Sequence, residues 1–333
     1  RIPMSTPKVL FTAGLDFGDV PPGQAMFDEA GFDVVCFRTT PGQLQEETRE
    51  KLEGIDGMIA GGDWINDFTL EKADRLKVVA RNGVGYDRVN LQACTERGIV
   101  AANTPGVMAD AVADETLGLL LALVRRIPTG SANVKAGQYQ VPMGEDLCSM
   151  TLGLIGGGRI ATEVIRRARG FKIGVLVHDP WVDESEIREL GATPASMDEL
   201  LENSDAITLH IPMTADNEKL VDADFIGRMK AGSFIVNTAR GGLVDEEALL
   251  QALDDGHIAG AGLDCQATEP PVGISSKLVE HEHVIAMPHA GSNTVTARRG
   301  MNLMAARQVL ALLQGKVPEH VLNPEVLEKL DLK

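Results

Sequence analysis

Residues 151–161, Thr-Leu-Gly-Leu-Ile-Gly-Gly-Gly-Arg-Ile-Ala, run an apolar stretch into three glycines and out into a helical pattern. A strand that turns directly into a helix needs glycine where the backbone takes positive φ, and again where a ligand must approach the main chain. Gly156 suits the turn and Gly158 the close approach, while Ala161 stands at the third small position, where helix meets strand. Free N–H groups at the helix start, at Arg159 and Ile160, together with the positive end of its dipole, make a phosphate site. The same spacing occurs in ordinary turns, so context decides. A second apolar run, Lys172–His178, ends at Asp179, 21 residues after Gly158. An acid there accepts hydrogen bonds from ribose hydroxyls. A 2′-phosphate would meet that carboxylate instead, and two unit charges about 4 Å apart repel by about 1–4 kcal/mol, depending on dielectric. The spacing predicts a dinucleotide site for NAD rather than NADP, a preference that Arg159 in the turn softens.

Around this turn the chain alternates strands and helices. Strands are expected at Lys8–Ala13, Phe32–Phe37, Gly57–Ala60, Val78–Arg81 and Ile99–Ala102, then at Thr151–Ile155, Lys172–His178, Ala206–Ile211, Ser233–Asn237, Ile258–Leu263 and His283–Ala286. Several are continuously apolar, as in parallel strands covered on both faces. Helices are expected at Pro105–Ile127, ending at Pro128, and at Ile160–Arg169, Glu184–Leu190, Asp245–Leu253 and Thr294–Leu313, with a loop over Thr129–Met150. Alternation of this kind means βαβ units and parallel sheets. The length of 333 residues suits two α/β domains, the second beginning near residue 103, with the chain returning to the first after His289.

A net charge of −17 argues against nucleic acid or an anionic membrane as partner. The longest apolar run, Leu117–Val124, is flanked by Asp114, Glu115, Arg125 and Arg126 and reads as a buried helix, not a membrane span. There is no signal-peptide pattern, and Arg1-Ile2-Pro3 ahead of Met4 reads as a remnant of expression. Four scattered cysteines (Cys36, Cys94, Cys148, Cys265) read as free thiols of a cytoplasmic protein. No metal site is called for.

Three segments at strand ends carry unusual chemistry: Asn237-Thr-Ala-Arg240-Gly-Gly, Gly262-Leu-Asp264 leading to Glu269-Pro-Pro, and Met287-Pro-His289-Ala-Gly. Singly, Arg240 is a loop charge, His289 a loop residue, Asp264 a helix cap and Glu269 a solvated acid. Together, past the C-terminal ends of successive parallel strands in a dinucleotide-binding chain, they lie where open α/β sheets bind ligands. Hydride transfer to a 2-keto acid needs a cation for the carboxylate and carbonyl, a proton donor, and a partner for that donor. The bidentate fork of Arg240 suits the first, His289 the second, and Glu269, paired with the imidazolium, the third.

At these residues the chain resembles the D-isomer-specific 2-hydroxyacid dehydrogenases, particularly their phosphoglycerate dehydrogenase-like members. The likeness runs over residues 8–315 and includes Arg81-Asn-Gly-Val-Gly-Tyr-Asp87, Asn103-Thr-Pro-Gly, Leu152–Ala161, His178-Asp-Pro, His210-Ile-Pro, Asn237–Asp245, Gly260–Asp264 and Pro288-His-Ala-Gly. The resemblance implies two Rossmann-like or flavodoxin-like domains. An NAD domain, 103–289, would be inserted into a discontinuous substrate domain, 1–102 with 290–333. It implies Arg240, Glu269 and His289 as the catalytic set, with Asp264 in support. Val84 and Gly85 would offer backbone N–H groups to the substrate carboxylate, alongside Arg240 and His289. His210, Ile211 and Pro212 would line the adenine side, with Thr238, Ala239, Arg240, Asp264 and His289 near the nicotinamide. A small 2-hydroxy or 2-keto acid would be the substrate, of glyoxylate, hydroxypyruvate or phosphoglycerate type. Dimerisation would use the helix after Pro105.

The departures are local. Cys265-Gln266-Ala267 replaces the Val, aromatic and acidic residues usual after the aspartate, although the five-residue step from Asp264 to Glu269 survives. At Gly61-Gly62-Asp63-Trp64 the phosphoglycerate-type enzymes place a basic or hydroxyl residue, whereas Asp63 is expected to repel phosphate. Two rival readings are a formate dehydrogenase-like enzyme, which has no hydroxyl proton to handle, and an NAD-sensing corepressor-like scaffold.

Overall fold

A computed structural model of the chain describes residues 6–13, 23–37 and 44–330. In chain order the first elements are β1 (Lys8–Phe11), α1 (Gln24–Ala30), β2 (Asp33–Cys36), α2 (Leu44–Lys51), β3 (Gly57–Ala60), β4 (Val78–Arg81), α3 (Leu91–Glu96) and β5 (Val100–Ala102). There follow α4 (Ala109–Val124), α5 (Ile127–Lys135), β6 (Thr151–Ile155), α6 (Arg159–Gly170), β7 (Gly174–His178), α7 (Glu184–Glu189), β8 (Thr193–Pro194), α8 (Met197–Asn203) and β9 (Ala206–Leu209). The last are α9 (Ala223–Arg228), β10 (Ser233–Asn237), α10 (Glu246–Asp254), β11 (Ile258–Leu263), α11 (Ile274–Glu280), β12 (Val284–Ala286) and α12 (Val295–Leu313).

The chain forms two compact units, one reaching Met108 and resuming at Val295, the other spanning Ala109–Thr294. These joints fall a few residues beyond those read from the sequence. The first unit is a parallel sheet in the order β2-β1-β3-β4-β5, the flavodoxin-like order. On one face Leu10, Met58 and Val79 meet Leu52 and Ala93. On the other, Val9, Ile59 and Val78 meet Ala305, Val309 and Leu312 of α12, which is why the final helix returns to this sheet.

The second unit is a seven-stranded parallel sheet, β12-β11-β10-β9-β6-β7-β8. Strand order reverses between β6 and β9, opening the crevice where doubly wound sheets take ligands. The continuous apolar runs are explained by cover on both faces: every residue of β3, β9 and β10 is buried. Fully buried leucines such as Leu154 and Leu209 contribute about 1.5–3 kcal/mol each through burial.

Several expected elements are shorter than read. β1 stops at Phe11, and α4 begins at Ala109 because Gly106, at φ 88°, breaks the helix expected from Pro105. The helix expected to reach Ile127 ends at Val124, and Pro128 opens α5 within the region expected to be loop. Proline fits a first turn, where its missing N–H has no partner to lose. β8, only two residues long, left no readable pattern.

Candidate active site

The glycine turn is fixed by geometry. Gly156 sits at φ 101°, and a Cβ there would lie 2.6 Å from the His210 carbonyl oxygen and 2.9 Å from Ile211 Cγ2. No larger residue fits. Gly158, the N-cap of α6, has the opposite surroundings: a Cβ would meet nothing within 4 Å, so the backbone is open to a ligand. Arg159 is exposed beside it, Ile160 is partly buried, and Ala161 is fully buried against the sheet. Asp179 does more than wait for a ribose. Its Oδ2 accepts from Gly157 N at 2.7 Å and its Oδ1 from Trp181 N at 2.8 Å. Each oxygen keeps a second lone pair for a hydroxyl.

His210 directly follows β9, whose last residue Leu209 pairs with Ile155 at the end of β6. Its Nε2 lies 3.2 Å from Thr208 Oγ1. The residue as a whole keeps partial exposure, but its Nδ1 is shut off from solvent and has no hydrogen-bond partner. Burial lowers its pKa to about 3, so the ring is neutral at physiological pH. Pro212 accepts from Asn217 Nδ2 at 2.8 Å, which ties down the segment after Ile211. An open-faced Gly158, an acid at the turn and an orphaned ring nitrogen beside it are features that a dinucleotide fits.

The strand-end residues come together through backbone and side-chain bonds. Asn237 Nδ2 donates to Arg240 O at 2.8 Å, and Asn237 Oδ1 accepts from Ala239 N at 3.0 Å, which shapes the turn after β10. Arg240 Nη1 donates to Ala239 O at 2.6 Å. Thr238 Oγ1 is 2.9 Å from Thr116 Oγ1 on α4. Asp264 is buried, and burial raises its pKa despite the amides that Ala290 and Gly291 donate to it at 2.6 and 2.8 Å. Its carbonyl accepts from His289 N at 2.7 Å. Asp264 thus folds the turn after β12, in which His289 takes φ 54°, a backbone state that side-chain-bearing residues seldom adopt. That turn presents the imidazole to Glu269: His289 Nδ1 lies 2.9 and 3.1 Å from Glu269 Oε1 and Oε2. The His289 side chain is 46% exposed and that of Glu269 26%, which leaves Nε2 accessible.

The altered segment after Asp264 has its own logic. The Cys265 thiol is enclosed, and burial pushes its pKa well above the usual range. Gln266 Nε2 donates to Leu263 O and Met287 O at 3.2 and 3.3 Å, bridging the ends of β11 and β12. Sequence reasoning passed over Asn237 and Gln266 as site residues. Only the position of Asn237 at a strand end could have flagged it.

In the first unit, Val84 and Gly85 lie in the loop after β4. Gly83 holds φ 149° there, its N donates to Thr104 Oγ1 at 2.8 Å, and Val84 O accepts from Asn103 Nδ2 at 2.8 Å. Asp63 is buried, and its carboxylate accepts from Thr12 Oγ1, from Thr48 Oγ1 at 2.8 Å and from Gly61 N at 2.9 Å.

Residues 117–291 match the model of the D-isomer specific 2-hydroxyacid dehydrogenase, NAD binding domain. The chain belongs to this family. Its second unit is the family's NAD-binding domain, and its cofactor is NAD. Among curated relatives it is 36% identical over 286 residues to a D-3-phosphoglycerate dehydrogenase of Methanocaldococcus jannaschii, covering 85% of this chain and 54% of that protein. It is 33% identical over 331 residues to a glyoxylate reductase of Thermococcus litoralis, covering 96% and 98%. The chain spans about half the length of the phosphoglycerate dehydrogenases it matches. A solved D-lactate dehydrogenase from Aquifex aeolicus, complexed with NAD and lactic acid, superposes with a TM-score of 0.83 at 27% identity, covering 95% and 99% of the two chains.

Proposed function

We propose that the chain is an NAD-dependent oxidoreductase interconverting a D-2-hydroxy acid and its 2-keto acid. The observation that carries this reading is the His289–Glu269 pair, held at 2.9 Å at the strand ends that also carry Arg240. NADH, when bound, supplies the hydride. The Arg240 guanidinium holds the substrate carboxylate and polarises its carbonyl. His289, donating Nδ1–H to Glu269, gives the proton on Nε2 to the substrate oxygen, and takes it back in the oxidative direction. His210, Ile211 and Pro212 serve the adenine side, and Thr238, Ala239 and Asp264 the nicotinamide side.

Formate oxidation releases no hydroxyl proton and has no use for such a pair, so the pair favours the hydroxy acid. An NAD-sensing scaffold has no need of it either. Glyoxylate, hydroxypyruvate and phosphohydroxypyruvate are the candidate substrates of this reading, which the activities of the relatives support. The test is NADH oxidation, followed by absorbance, across these three acids and pyruvate. Turnover with at least one is expected; NADH binding without turnover across the panel would favour the scaffold.

The working unit in this reading is a cytoplasmic homodimer. The apolar residues of α4 are largely buried within its own unit, whereas Ile127, Val134, Tyr139, Val141 and Met143, on α5 and the segment after it, are 56–92% exposed. A second copy covering them would remove an apolar surface that isolated chains seldom leave in water.

A further inference from the structure

Glu246 is the first residue of α10, a place where acids usually sit in solvent and favour the helix dipole. Here it is only 5% exposed. Taking a carboxylate out of water costs several kcal/mol unless its oxygens are hydrogen-bonded, so its partners reveal what the burial is for. Its Oε1 accepts from Ala267 N at 2.8 Å and its Oε2 from the Ser275 hydroxyl. Ala267 and Ser275 bracket the segment that carries Glu269. The segment is also stitched internally: Thr268 Oγ1 donates to Ser275 Oγ at 3.0 Å, and Val272 N donates to Thr268 Oγ1 at 3.1 Å. Glu246, Ser275 and Thr268 therefore form a chain of oxygens ending one residue short of Glu269.

The other side of the segment is equally constrained. A Cβ on Gly241 would fall 2.0 Å from the Gln266 carbonyl carbon, so the turn carrying Arg240 lies directly against the start of the same segment. The Glu246 carboxylate thus ties the start of α10 to the Glu269 segment, and the Gly241–Gln266 approach seats the Arg240 turn against the same segment.

We propose that Glu246 is a positioning residue that holds the Glu269 carboxylate against His289 and in register with Arg240, acting through Ala267 and Ser275. The proposal rests on the acid–base reading of His289 and Glu269. Replacing Glu246 by glutamine keeps the shape but puts an NH₂ where one of two donors needs an acceptor. The segment then shifts, and a displacement of about 1 Å at reacting groups costs up to about a hundredfold in rate.

The test measures kcat against pH for keto-acid reduction, with the NADH Kd, in E246Q, S275A and S275T, with H289Q as reference. For E246Q the account predicts a loss of about tenfold in kcat with NADH Kd changed less than about twofold. It also predicts a kcat–pH profile that no longer superimposes on the parent's, because the Glu269 carboxylate is no longer held against His289. S275A should show the same two effects at smaller size, and S275T, which restores the hydroxyl, should reverse them. If E246Q fails to fold, the serine pair carries the test. Profiles superimposable on the parent, with only the unfolding midpoint lowered, would overturn the proposal alone. Full turnover in H289Q would overturn the acid–base reading, and the proposal with it.

Discussion

Burial holds the His210 imidazole neutral down to about pH 3, against an ordinary value of 6.5, and this has a thermodynamic consequence. An unfolded chain takes up this proton below pH 6.5 while the folded chain does not. The stability contributed by the neutral ring is therefore complete above 6.5 and lost as pH falls from there towards 3. The slope cannot exceed about 1.4 kcal/mol per pH unit for one group. In urea unfolding at pH 7 and pH 5, the parent should lose stability relative to His210→Gln as the pH drops, and a pH-independent difference between the two would refute this. Among single residues, sequence reveals those whose role is set by type. Gly156 is legible because its φ of 101° and the carbonyl at 2.6 Å admit nothing else. Asp63 is not legible in the same way, since identity does not state direction. Its carboxylate turns into its own unit's core, towards Thr12 and Thr48. Glu246 misleads for a related reason: in sequence it is an ordinary acid in a helix first turn, and only the packed segment above it reveals its burial.

At the scale of elements, strands buried on both faces were the easiest to find. Gly57–Ala60, Val78–Arg81, Thr151–Ile155, Ser233–Asn237 and Ile258–Leu263 fall where their apolar runs predict. Helix ends were harder, because they depend on caps and turns. A positive φ at Gly106 delayed α4, and Pro128, which reads as a stop, also serves as a start. The β6–turn–α6 element gathers the dinucleotide chemistry, and its sensitivity should be steep. Gly156→Ala adds backbone strain of about 1–3 kcal/mol and a clash with the carbonyl of His210. NADH affinity should fall more than about tenfold, since the turn that offers α6's N–H groups must move. An NADH fluorescence titration on the folded variant checks this, and unchanged affinity would show that the turn does not set the cofactor site.

The described residues form two units, each built on a parallel sheet, and open sheets of this kind take ligands past the carboxyl ends of their strands. In the NAD-binding unit those ends supply the glycine turn, His210, Arg240, Asp264 and His289, in strand order away from the switch point. The net charge of −17 sets a requirement for a local cation if the substrate is an anionic acid, the part given to Arg240 in the proposed function. The family was legible because three strand-end segments, unremarkable singly, follow a dinucleotide turn in one chain; the substrate was not, because side-chain direction in the loops decides it. His289 is the proton donor of the proposed function. The most direct measurement is kcat for reduction of the best 2-keto acid by His289→Gln, alongside its NADH Kd. The account predicts a loss of at least about a hundredfold in kcat, with NADH affinity within about threefold of the parent. A variant that turns over within a few-fold of the parent would contradict it.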